Sequence, residues 1–429
     1  MNSLFESSRI NQLILKNRFV RSATWEGLAD DQGGVTPELV QVYSRLADGG
    51  VGLIITGHCF VHASGRHAPR QLGIDQDSLN AGYEELTRAV HERGGKIILQ
   101  ISMGGAYLSR RRVETMTVPD LQQTALAFGE AACRAGTAGF DGVQIMAAHG
   151  FLLSQLLCPR YNPRSDEYGG SLENRARLLL EVLSAIRSQV GHDYPVLVKL
   201  NGQDLVEKGL TLEESLQVGP MLQGNGCDAI EVSGGLLNVA GLMDRKSDSG
   251  TDAVAFREEA AAFKKVLHLP IILVGGIRSL KTAQALIESG AADYISMCRP
   301  FICEPDLIQR WKNGDDRPAA CLSCNRCVEQ IKEGSGPTCV PQEPEMPQTF
   351  FPEDLEQIPA GPPHLPGTCY QIASGLEQWD SGFFPVLKVQ LVRDGRVINE
   401  GPAIPMNIDD PERVFEAIKA LIEKHRHRS

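Results

Sequence analysis

Several features that identify common protein classes are missing from this sequence. No apolar run approaches the roughly 20 residues that a membrane-spanning helix requires. The N-terminal segment MNSLFESSRINQLILKNRF lacks the apolar core of a signal peptide, so we expect a cytoplasmic protein. A net charge of −11 argues against nucleic acid or an anionic membrane as partner, because both require clustered lysine and arginine. No GxGxxG motif follows a predicted strand, so a Rossmann-type dinucleotide-binding domain is not expected.

The cysteines show one local cluster. Eleven cysteines in 429 residues do not suggest a disulfide scaffold, and seven of them are scattered. The other four form the pattern C-x2-C-x2-C-x11-C at Cys321, Cys324, Cys327 and Cys339. Four thiolates, three of them on one tight loop, can bind the corners of a [4Fe-4S] cluster. A tetrahedral zinc site and unliganded thiols are the alternatives.

Short apolar runs alternate with helix-length amphipathic segments through most of the chain. Most of these runs are rich in valine and isoleucine, as strands buried on both faces are. Ser171 and Gly191 bound one predicted helix, and Ser279 and Gly290 bound another. The alternation predicts an α/β protein with a (β/α)8 TIM barrel rather than an open doubly wound sheet. The predicted strands cover residues 19–23, 52–57, 96–101, 142–146, 196–200, 229–233, 270–276 and 294–298.

Composition divides the chain into four segments. The predicted barrel covers residues 1–315, and the four-cysteine segment covers residues 316–344. Residues 345–383 are dense in proline and are interpreted as an extended linker. Residues 384–429 predict two strands, joined by a turn at Asp394–Gly395, and a final helix. This ββα extension is too small to have much core of its own, so we expect it to pack on the barrel or on another subunit of a homo-oligomer.

Polar residues and glycines lie where the predicted strands end, and parallel barrels carry their functional groups at these carboxyl ends. Gln100 and Lys199 lie within apolar strands, where a buried polar group needs a partner. A bound heterocycle would provide such partners; the alternative is that backbone groups in loops do so. Gly275–Gly276 and Arg299 follow the last two strands and match a phosphate site. The alternative for the glycines is a tight turn without a ligand.

Four stretches together resemble the old yellow enzyme family of FMN-dependent NADH:flavin oxidoreductases. They are KNRFVRSATWEG, LQISMGG, AAHGFLLSQLLCPRYNPRSDEYGGSLENRARLLLE and ISMCRPFICEPDL. The branch that they resemble contains 2,4-dienoyl-CoA reductase, trimethylamine dehydrogenase and 2-enoate reductase. The resemblance covers about residues 1–340 and implies FMN across the barrel mouth. It also implies that the four cysteines bind a [4Fe-4S] cluster.

The resemblance assigns roles to individual residues. Ala23, Thr24 and Gly57 are implied to line the flavin ring, and Gln100 to hydrogen-bond its pyrimidine edge. Lys199, where many relatives have arginine, is implied to place positive charge near N1 and the C2 carbonyl. The residues implied to hold the phosphate are Gly275, Gly276, Cys298 and Arg299.

The substrate-facing positions depart from the family pattern. Ene-reducing members carry a His/His or His/Asn pair that binds the substrate carbonyl, and a tyrosine that gives a proton. Here the pair is Met146 and His149, and the tyrosine position is Phe151. Hydride transfer to an activated alkene needs stabilisation of the developing oxyanion and a proton source. His149 is therefore the expected catalytic residue, in a pocket that it forms with Met146 and Phe151. His58, His62 and His67 lie in or near the loop after the second predicted strand and are interpreted as ordinary loop histidines, with a place at the border of the pocket as the alternative.

Three functional hypotheses follow. The first is an FMN-dependent oxidoreductase whose [4Fe-4S] cluster relays electrons between the flavin and an external redox partner protein. Its substrate is expected to be an unsaturated carbonyl or a related small molecule. The second is an NAD(P)H-dependent ene-reductase whose cysteines bind zinc or have no redox role. The third is a non-catalytic flavoprotein subunit for electron transfer or assembly, with the ββα extension as its docking element.

Overall fold

The computed structural model describes residues 3–104, 113–236, 254–339, 350–360, 364, 366–379, 382–393, 396–400 and 413–420. The chain divides into two compact units, Met1–Val340 and Pro341–Ser429. Each unit is described by itself below.

The described part of the first unit alternates strands and helices. Its strands are β1 (Ser8–Ile10), β2 (Leu13–Leu15), β3 (Phe19–Arg21), β4 (Leu53–Ile55), β5 (Cys59–Phe60), β6 (Ile97–Ser102), β7 (Val143–Ala147), β8 (Val196–Asn201), β9 (Ala229–Ser233), β10 (Ile271–Val274) and β11 (Tyr294–Met297). Its helices are α1 (Pro37–Asp48), α2 (Asn80–His91), α3 (Val118–Thr137), α4 (Leu152–Leu157), α5 (Leu172–Val190), α6 (Leu212–Gly224), α7 (Arg257–Val266), α8 (Leu280–Glu288), α9 (Arg299–Cys303), α10 (Leu307–Lys312) and α11 (Arg326–Glu333). Short 3-10 helices cover Ser3–Phe5, Ala63–Gly65, Asp77–Leu79 and Val113–Thr115.

Eight parallel strands close into a barrel. The order is β3, β4, β6, β7, β8, β9, β10 and β11, and β11 pairs with β3 to complete the circle. The additional strand β5 pairs with the end of β6. All eight predicted strands are present at their predicted places, which confirms the (β/α)8 barrel.

The predicted helix boundaries are also present. The Ser171 side chain caps α5 by accepting a hydrogen bond from the Asn174 amide, and Gly191 ends the helix at a φ of 75°. Ser279 caps α8 in the same way, and Gly290 follows its end at a φ of 69°.

Within the described residues, no helix combines the length and the apolar character needed to span a membrane.

The lower part of the barrel interior is apolar, and an antiparallel hairpin closes it from below. The antiparallel hairpin of β1 and β2 contributes three buried side chains to it, and the barrel strands contribute the rest. Side chains two residues apart on a strand share a face, so this layer fixes which later residues also point inward. The layer consists of Ile10, Leu13, Leu15, Val20, Leu53, Ile55, Ile98, Leu197, Ala229, Ile272 and Tyr294.

The second unit differs from its prediction. Its strands are β12 (Phe350–Pro359), β13 (Thr368–Trp379), β14 (Gly382–Arg393) and β15 (Arg396–Glu400), and a helix, α12, covers residues 413–420. They form an antiparallel sheet in the order β12-β13-β14-β15. Two strands and a helix of the predicted ββα extension are present, whereas the predicted turn at Asp394–Gly395 lies outside the described residues.

The expected linker over residues 345–383 was wrong for most of its described part, because β12 and β13 occupy it. The prolines are compatible with a strand here, since β12 lies at the edge of the sheet and has a bulge between Pro352 and Asp354. The unit also has a small core of its own, which the sequence analysis did not expect. It contains Ile358, Tyr370, Ile372, Leu391, Val414 and Ala417.

Candidate active site at the barrel mouth

A polar layer lies directly above the apolar layer of the barrel. Five of its six members follow a residue of the apolar layer by two positions, as Ser22 follows Val20 and Gln100 follows Ile98. They come from six of the eight barrel strands or their ends, and they hydrogen-bond across the interior. The layer consists of Ser22, Gln100, Gln144, Lys199, Glu231 and Ser296.

Glu231 is the centre of this polar layer. Its carboxylate accepts hydrogen bonds from Ser22 and Ser296, each at 2.7 Å, and from Gln144 Nε2 at 2.9 Å. Lys199 Nζ lies 3.4 Å from the same carboxylate. Burial alone would raise the pKa of Glu231, but Lys199 and the three hydrogen bonds outweigh it and lower that pKa. Glu231 and Gln144 were not predicted from the sequence, although both are polar residues inside apolar strands.

Gln100 and Lys199 lie where the sequence predicted, but their partners differ from those expected. Gln100 Nε2 donates to Gln144 Oε1 at 2.7 Å, and Lys199 Nζ donates to Ser22 Oγ at 2.8 Å. The expectation that a heterocycle provides all their partners was therefore wrong, because neighbouring strands provide several. Among the described residues, none donates a hydrogen bond to Gln100 Oε1, so this acceptor stays open toward the mouth.

Beside the polar layer, a second buried network supports Gly57. Arg21 pairs with Glu26 at 2.7 Å, and Tyr43 donates to the same carboxylate at 2.7 Å. The Gly57 amide donates to the Tyr43 hydroxyl at 3.0 Å. A Cβ at Gly57 would lie 2.2 Å from Glu26 Oε2 and 2.6 Å from the Thr24 carbonyl oxygen. A side chain at position 57 would therefore clash with the protein itself, so glycine is required there whether or not a ligand binds.

Ala23 and Thr24 follow β3 and border the mouth as half-buried residues. Ala23 packs against the apolar layer of the barrel interior. Thr24 Oγ1 lies 2.8 Å from Cys298 Sγ, so the two side chains join the ends of β3 and β11. The structure thus brings together three residues that the sequence analysis had placed around FMN.

The loop after β10 begins with two glycines in the positive-φ region. Gly275 and Gly276 adopt φ values of 121° and 77°. Residues with a Cβ atom rarely adopt these positive φ values, whereas glycine adopts them readily. Arg299 begins α9 after the neighbouring strand. Its Nη1 donates to the Ser323 carbonyl at 3.1 Å and to Asn325 Oδ1 at 2.7 Å. These two bonds tie the loop of the four cysteines to the expected phosphate site, and they use only one of the guanidinium nitrogens.

His149 lies at the end of β7 in a constrained conformation. Its backbone has a φ of 60°, and its amide donates to Asn201 Oδ1 at 3.3 Å. Its Nε2 lies 2.7 Å from Ser233 Oγ. Burial and the Lys199 ammonium lower the pKa of His149 to about 3, against the opposing effect of Glu231. His149 is therefore a neutral imidazole near pH 7, held at the mouth by two neighbouring strands.

Met146 and Phe151 lie close to each other but are covered. Met146 is 4% exposed, and Phe151 is 1% exposed. The Phe151 ring contacts the imidazoles of His58 and His67 at centroid distances of 5.3 and 5.0 Å. Both histidines thus pack on the position where the resemblance places a tyrosine. His62 is ordinary, because its side chain only caps the 3-10 helix Ala63–Gly65.

The most family-specific stretch, PRYNPRSDEYGGSLENR, has a supporting role. Asn162 Nδ2 donates to the carbonyls of Leu156 and Tyr168, each at 2.7 Å. Arg175 donates to the Leu157 carbonyl and pairs with the half-buried Glu214. These contacts connect α4, the loop and α5, and α4 follows directly after His149 and Phe151. The stretch thus fixes the backbone that carries the candidate catalytic residue.

The four cysteines lie on one segment at different depths. Cys321 and Cys327 are buried, Cys339 is half-buried and Cys324 is exposed. Over the described ranges, no three histidine, cysteine or acidic side chains are gathered closely enough to hold a metal ion. The Ser323 amide donates to Cys321 Sγ at 3.5 Å. A fifth cysteine, Cys303, lies near Cys339, which was not predicted from the sequence. Burial and the Cys339 thiol raise the pKa of Cys303 to about 12.

The donors and acceptors at the mouth fit FMN. Gln100 Oε1 is an open acceptor, and Lys199 has a third N–H beyond its two partners. Trp25 Nε1 is buried with no hydrogen-bond partner in the described part of the chain. A flavin ring carries the matching N–H and carbonyl groups, and Gly275–Gly276 with Arg299 suits its phosphate.

Comparisons with known proteins agree with this geometry. The model of the NADH:flavin oxidoreductase / NADH oxidase family matches residues 3–115 and 108–317. An NADH oxidase of Thermoanaerobacter brockii is 34% identical over 347 residues, which cover 75% of this chain and 53% of the relative. The chain thus spans about half the length of that relative.

Two solved structures share the barrel. A complex of 2-naphthoyl-CoA reductase with 2-naphthoyl-CoA has a TM-score of 0.72 at 25% identity, covering 79% of this chain and 57% of that one. An old yellow enzyme homologue from Zymomonas mobilis has a TM-score of 0.62 at 26% identity, covering 75% and 96%. The resemblance inferred from the sequence is confirmed, and the chain belongs to the NADH:flavin oxidoreductase / NADH oxidase family of FMN-dependent oxidoreductases.

Proposed function

We propose that this protein is an NAD(P)H-dependent oxidoreductase that binds FMN at the barrel mouth and reduces an unsaturated carbonyl compound. The observation that carries the proposal is the polar layer beneath the mouth, with its cation Lys199, its counterion Glu231 and the open acceptor Gln100. When bound there, FMN supplies hydride and electron transfer. The name of the Thermoanaerobacter relative supports NADH as a donor.

The residues of the chain would divide the work of binding. Gln100 and Lys199 would hold the polar edge of the ring, and Lys199 would place a positive charge there. Ala23, Thr24 and Gly57 would line the ring. Gly275, Gly276 and Arg299 would bind the phosphate, next to Cys298. Glu231 would hold the Lys199 ammonium in place through its contact at 3.4 Å.

His149 would bind the substrate carbonyl. Its Nε2 is bonded to Ser233 Oγ, so the neutral imidazole would donate a hydrogen bond to an acceptor oxygen through Nδ1–H, with the Ser233 hydroxyl donating to Nε2. Its backbone is fixed by Asn201. Met146 has no hydrogen-bond donor, and Phe151 has no hydroxyl proton. The conjugated thioester named in the 2-naphthoyl-CoA reductase complex supports a carbonyl compound as the substrate class.

A [4Fe-4S] cluster on Cys321, Cys324, Cys327 and Cys339 completes the proposal. Its support is the donor set and its spacing, together with the Ser323 amide that donates to Cys321 Sγ. Metal sites often form only as their ligands close around the metal, which would gather these four thiols. Because Cys324 is exposed, a cluster there would lie near the surface. We propose that it exchanges electrons with a separate redox protein in the cytoplasm.

A second candidate is an ene-reductase without a redox cluster. The observation in its favour is that the four cysteines, all of them described, are not gathered as a metal site. Iron and sulfide analysis after anaerobic purification separates the two candidates, because zinc or empty thiols would leave both iron and sulfide absent.

Anaerobic stopped-flow absorption tests the proposed activity. We expect NADH or NADPH to bleach the flavin absorption of the purified holoprotein, and 2-cyclohexenone to restore it. A flavin that neither nicotinamide reduces, or that an enone does not re-oxidise, would contradict the proposed activity. That result would favour a flavoprotein subunit that serves electron transfer or assembly.

A further inference from the structure

The loop after β4 brings two imidazoles to the part of the mouth where the usual donors are missing. His58 and His67 are half-buried, and their ring centroids are 4.7 Å apart. Both rings lie against Phe151, which is itself buried together with Met146. The two histidines therefore place imidazole nitrogens beside the Phe151 position.

Gln71 determines which nitrogen of His58 carries the proton. Gln71 is fully buried, and its Oε1 accepts from the amides of His67 at 3.0 Å and Ala68 at 3.3 Å. The amide nitrogen of Gln71 must then point the other way, where it donates to His58 Nδ1 at 3.1 Å and to the His58 carbonyl at 3.3 Å. An Nδ1 that accepts a hydrogen bond carries no proton, so the neutral ring is protonated on Nε2.

The Nε2–H of His58 is then a donor that no residue in the described part of the chain is seen to bind. Within the described ranges, no residue accepts a hydrogen bond from it. Burial and the neighbouring His67 lower the pKa of His58 to about 3, which keeps the ring neutral near pH 7. A neutral ring can donate a hydrogen bond, whereas transfer of its proton would leave an imidazolate.

We propose that His58 is a second hydrogen-bond donor of the substrate site, and that its Nε2–H binds the carbonyl oxygen of an unsaturated carbonyl substrate alongside His149. This inference rests on the proposed function. His58 thereby supplies a donor that Met146 and Phe151 cannot, and Gln71 is the positioning residue that sets its tautomer. No covalent bond of His58 changes, so the proton that completes the product comes from water.

His67 provides a matched control. It contacts the same Phe151 ring, is half-buried like His58, and lies in the same loop. Its ring interacts with the Gly65 backbone, and in the described part of the chain no side-chain amide determines its tautomer. Replacement of either histidine with leucine removes similar ring packing, but only the His58 replacement removes the proposed donor.

The test uses the FMN-loaded protein and 2-cyclohexenone as the probe. Binding is measured from the difference spectrum of the oxidised flavin, and turnover from re-oxidation of the NADPH-reduced protein. We expect His58→Leu to weaken binding roughly tenfold and to slow re-oxidation roughly 100-fold. His67→Leu should stay within about threefold of the wild type, since the proposed donor on His58 is retained. His58→Gln, which keeps an N–H donor, should recover part of the rate.

The two proposals fail in different ways. Equal binding and re-oxidation in the wild type, His58→Leu and His67→Leu would overturn the role of His58 and leave the proposed function intact. A wild-type flavin that is not re-oxidised by the enone would overturn both. If His58→Leu does not fold, nitrogen NMR of ¹⁵N-histidine-labelled wild type decides. Protonation of His58 on Nε2, with a shift of that signal on adding 2-cyclohexenone, supports the proposal; protonation on Nδ1 or an unmoved signal overturns it.

Discussion

The buried pair of Lys199 and Glu231 gives a quantitative prediction for the barrel. Glu231 is fully buried and Lys199 is 4% exposed. Glu231→Gln retains the size of the side chain but leaves the ammonium without its counterion. Breaking a buried pair from one side costs about 3–5 kcal/mol, and we expect a loss of this size in the free energy of unfolding. Lys199→Met should cost a similar amount, because it leaves the carboxylate uncompensated.

A double-mutant cycle isolates the interaction. The variant with both replacements carries neither charge, while glutamine can still bond to Ser22 and Ser296. We expect it to be more stable than the sum of the single losses by about 2 kcal/mol or more. Urea unfolding followed by circular dichroism measures all three variants. As a control, Lys264→Met removes the half-exposed pair with Asp293 and should cost no more than about 1 kcal/mol. Single losses below that control, or strictly additive losses, would refute the reasoning.

Three further predictions follow. Acid should destabilise the protein as pH falls below 6.5. In the folded protein the pKa values of His58, His67 and His149 are lowered to about 3 to 4. Below pH 6.5 the unfolded chain therefore binds more protons than the folded chain, and the free energy of unfolding falls. Each contributes up to about 1.4 kcal/mol per pH unit, and urea unfolding from pH 7 to pH 5 should show a shallower decline for His58→Gln. Gly275→Ala places a side chain at a φ of 121° and should cost about 1–3 kcal/mol and weaken FMN binding in a fluorescence titration. Cys324→Ser should remove iron and sulfide from the anaerobically purified protein while FMN stays bound, and retention of both would contradict the proposed ligand.

The barrel was predictable because its signals are local. Each strand is a short apolar run, and capping residues such as Ser171 and Ser279 mark the helices. Gln100 and Lys199 were identifiable for the same reason, as polar residues inside such runs. The first two strands of the second unit, β12 and β13, were missed because their proline-dense segment was interpreted as a linker, although an edge strand such as β12 tolerates proline.

The contacts between these residues were not predictable from local signals. Glu231 accepts a hydrogen bond from Ser22 only because the pairing of β11 with β3 closes the barrel. His58 reaches Phe151 because the loop after β4 turns back over the end of β7, and no spacing in the sequence indicates this. The sequence therefore identified which positions carry polar groups, while their partners depended on the closure of the barrel and the course of its loops.

Cofactor content tests the account most directly. We expect protein purified without oxygen to contain equimolar FMN, together with iron and acid-labile sulfide in the proportions of a [4Fe-4S] cluster. Absorption spectroscopy with metal and sulfide analysis measures all three on one sample. FMN without iron would retain the oxidoreductase and remove the electron relay. Protein that contains no flavin and binds none when FMN is added would contradict the central claim that the polar layer and glycine loop form an FMN site.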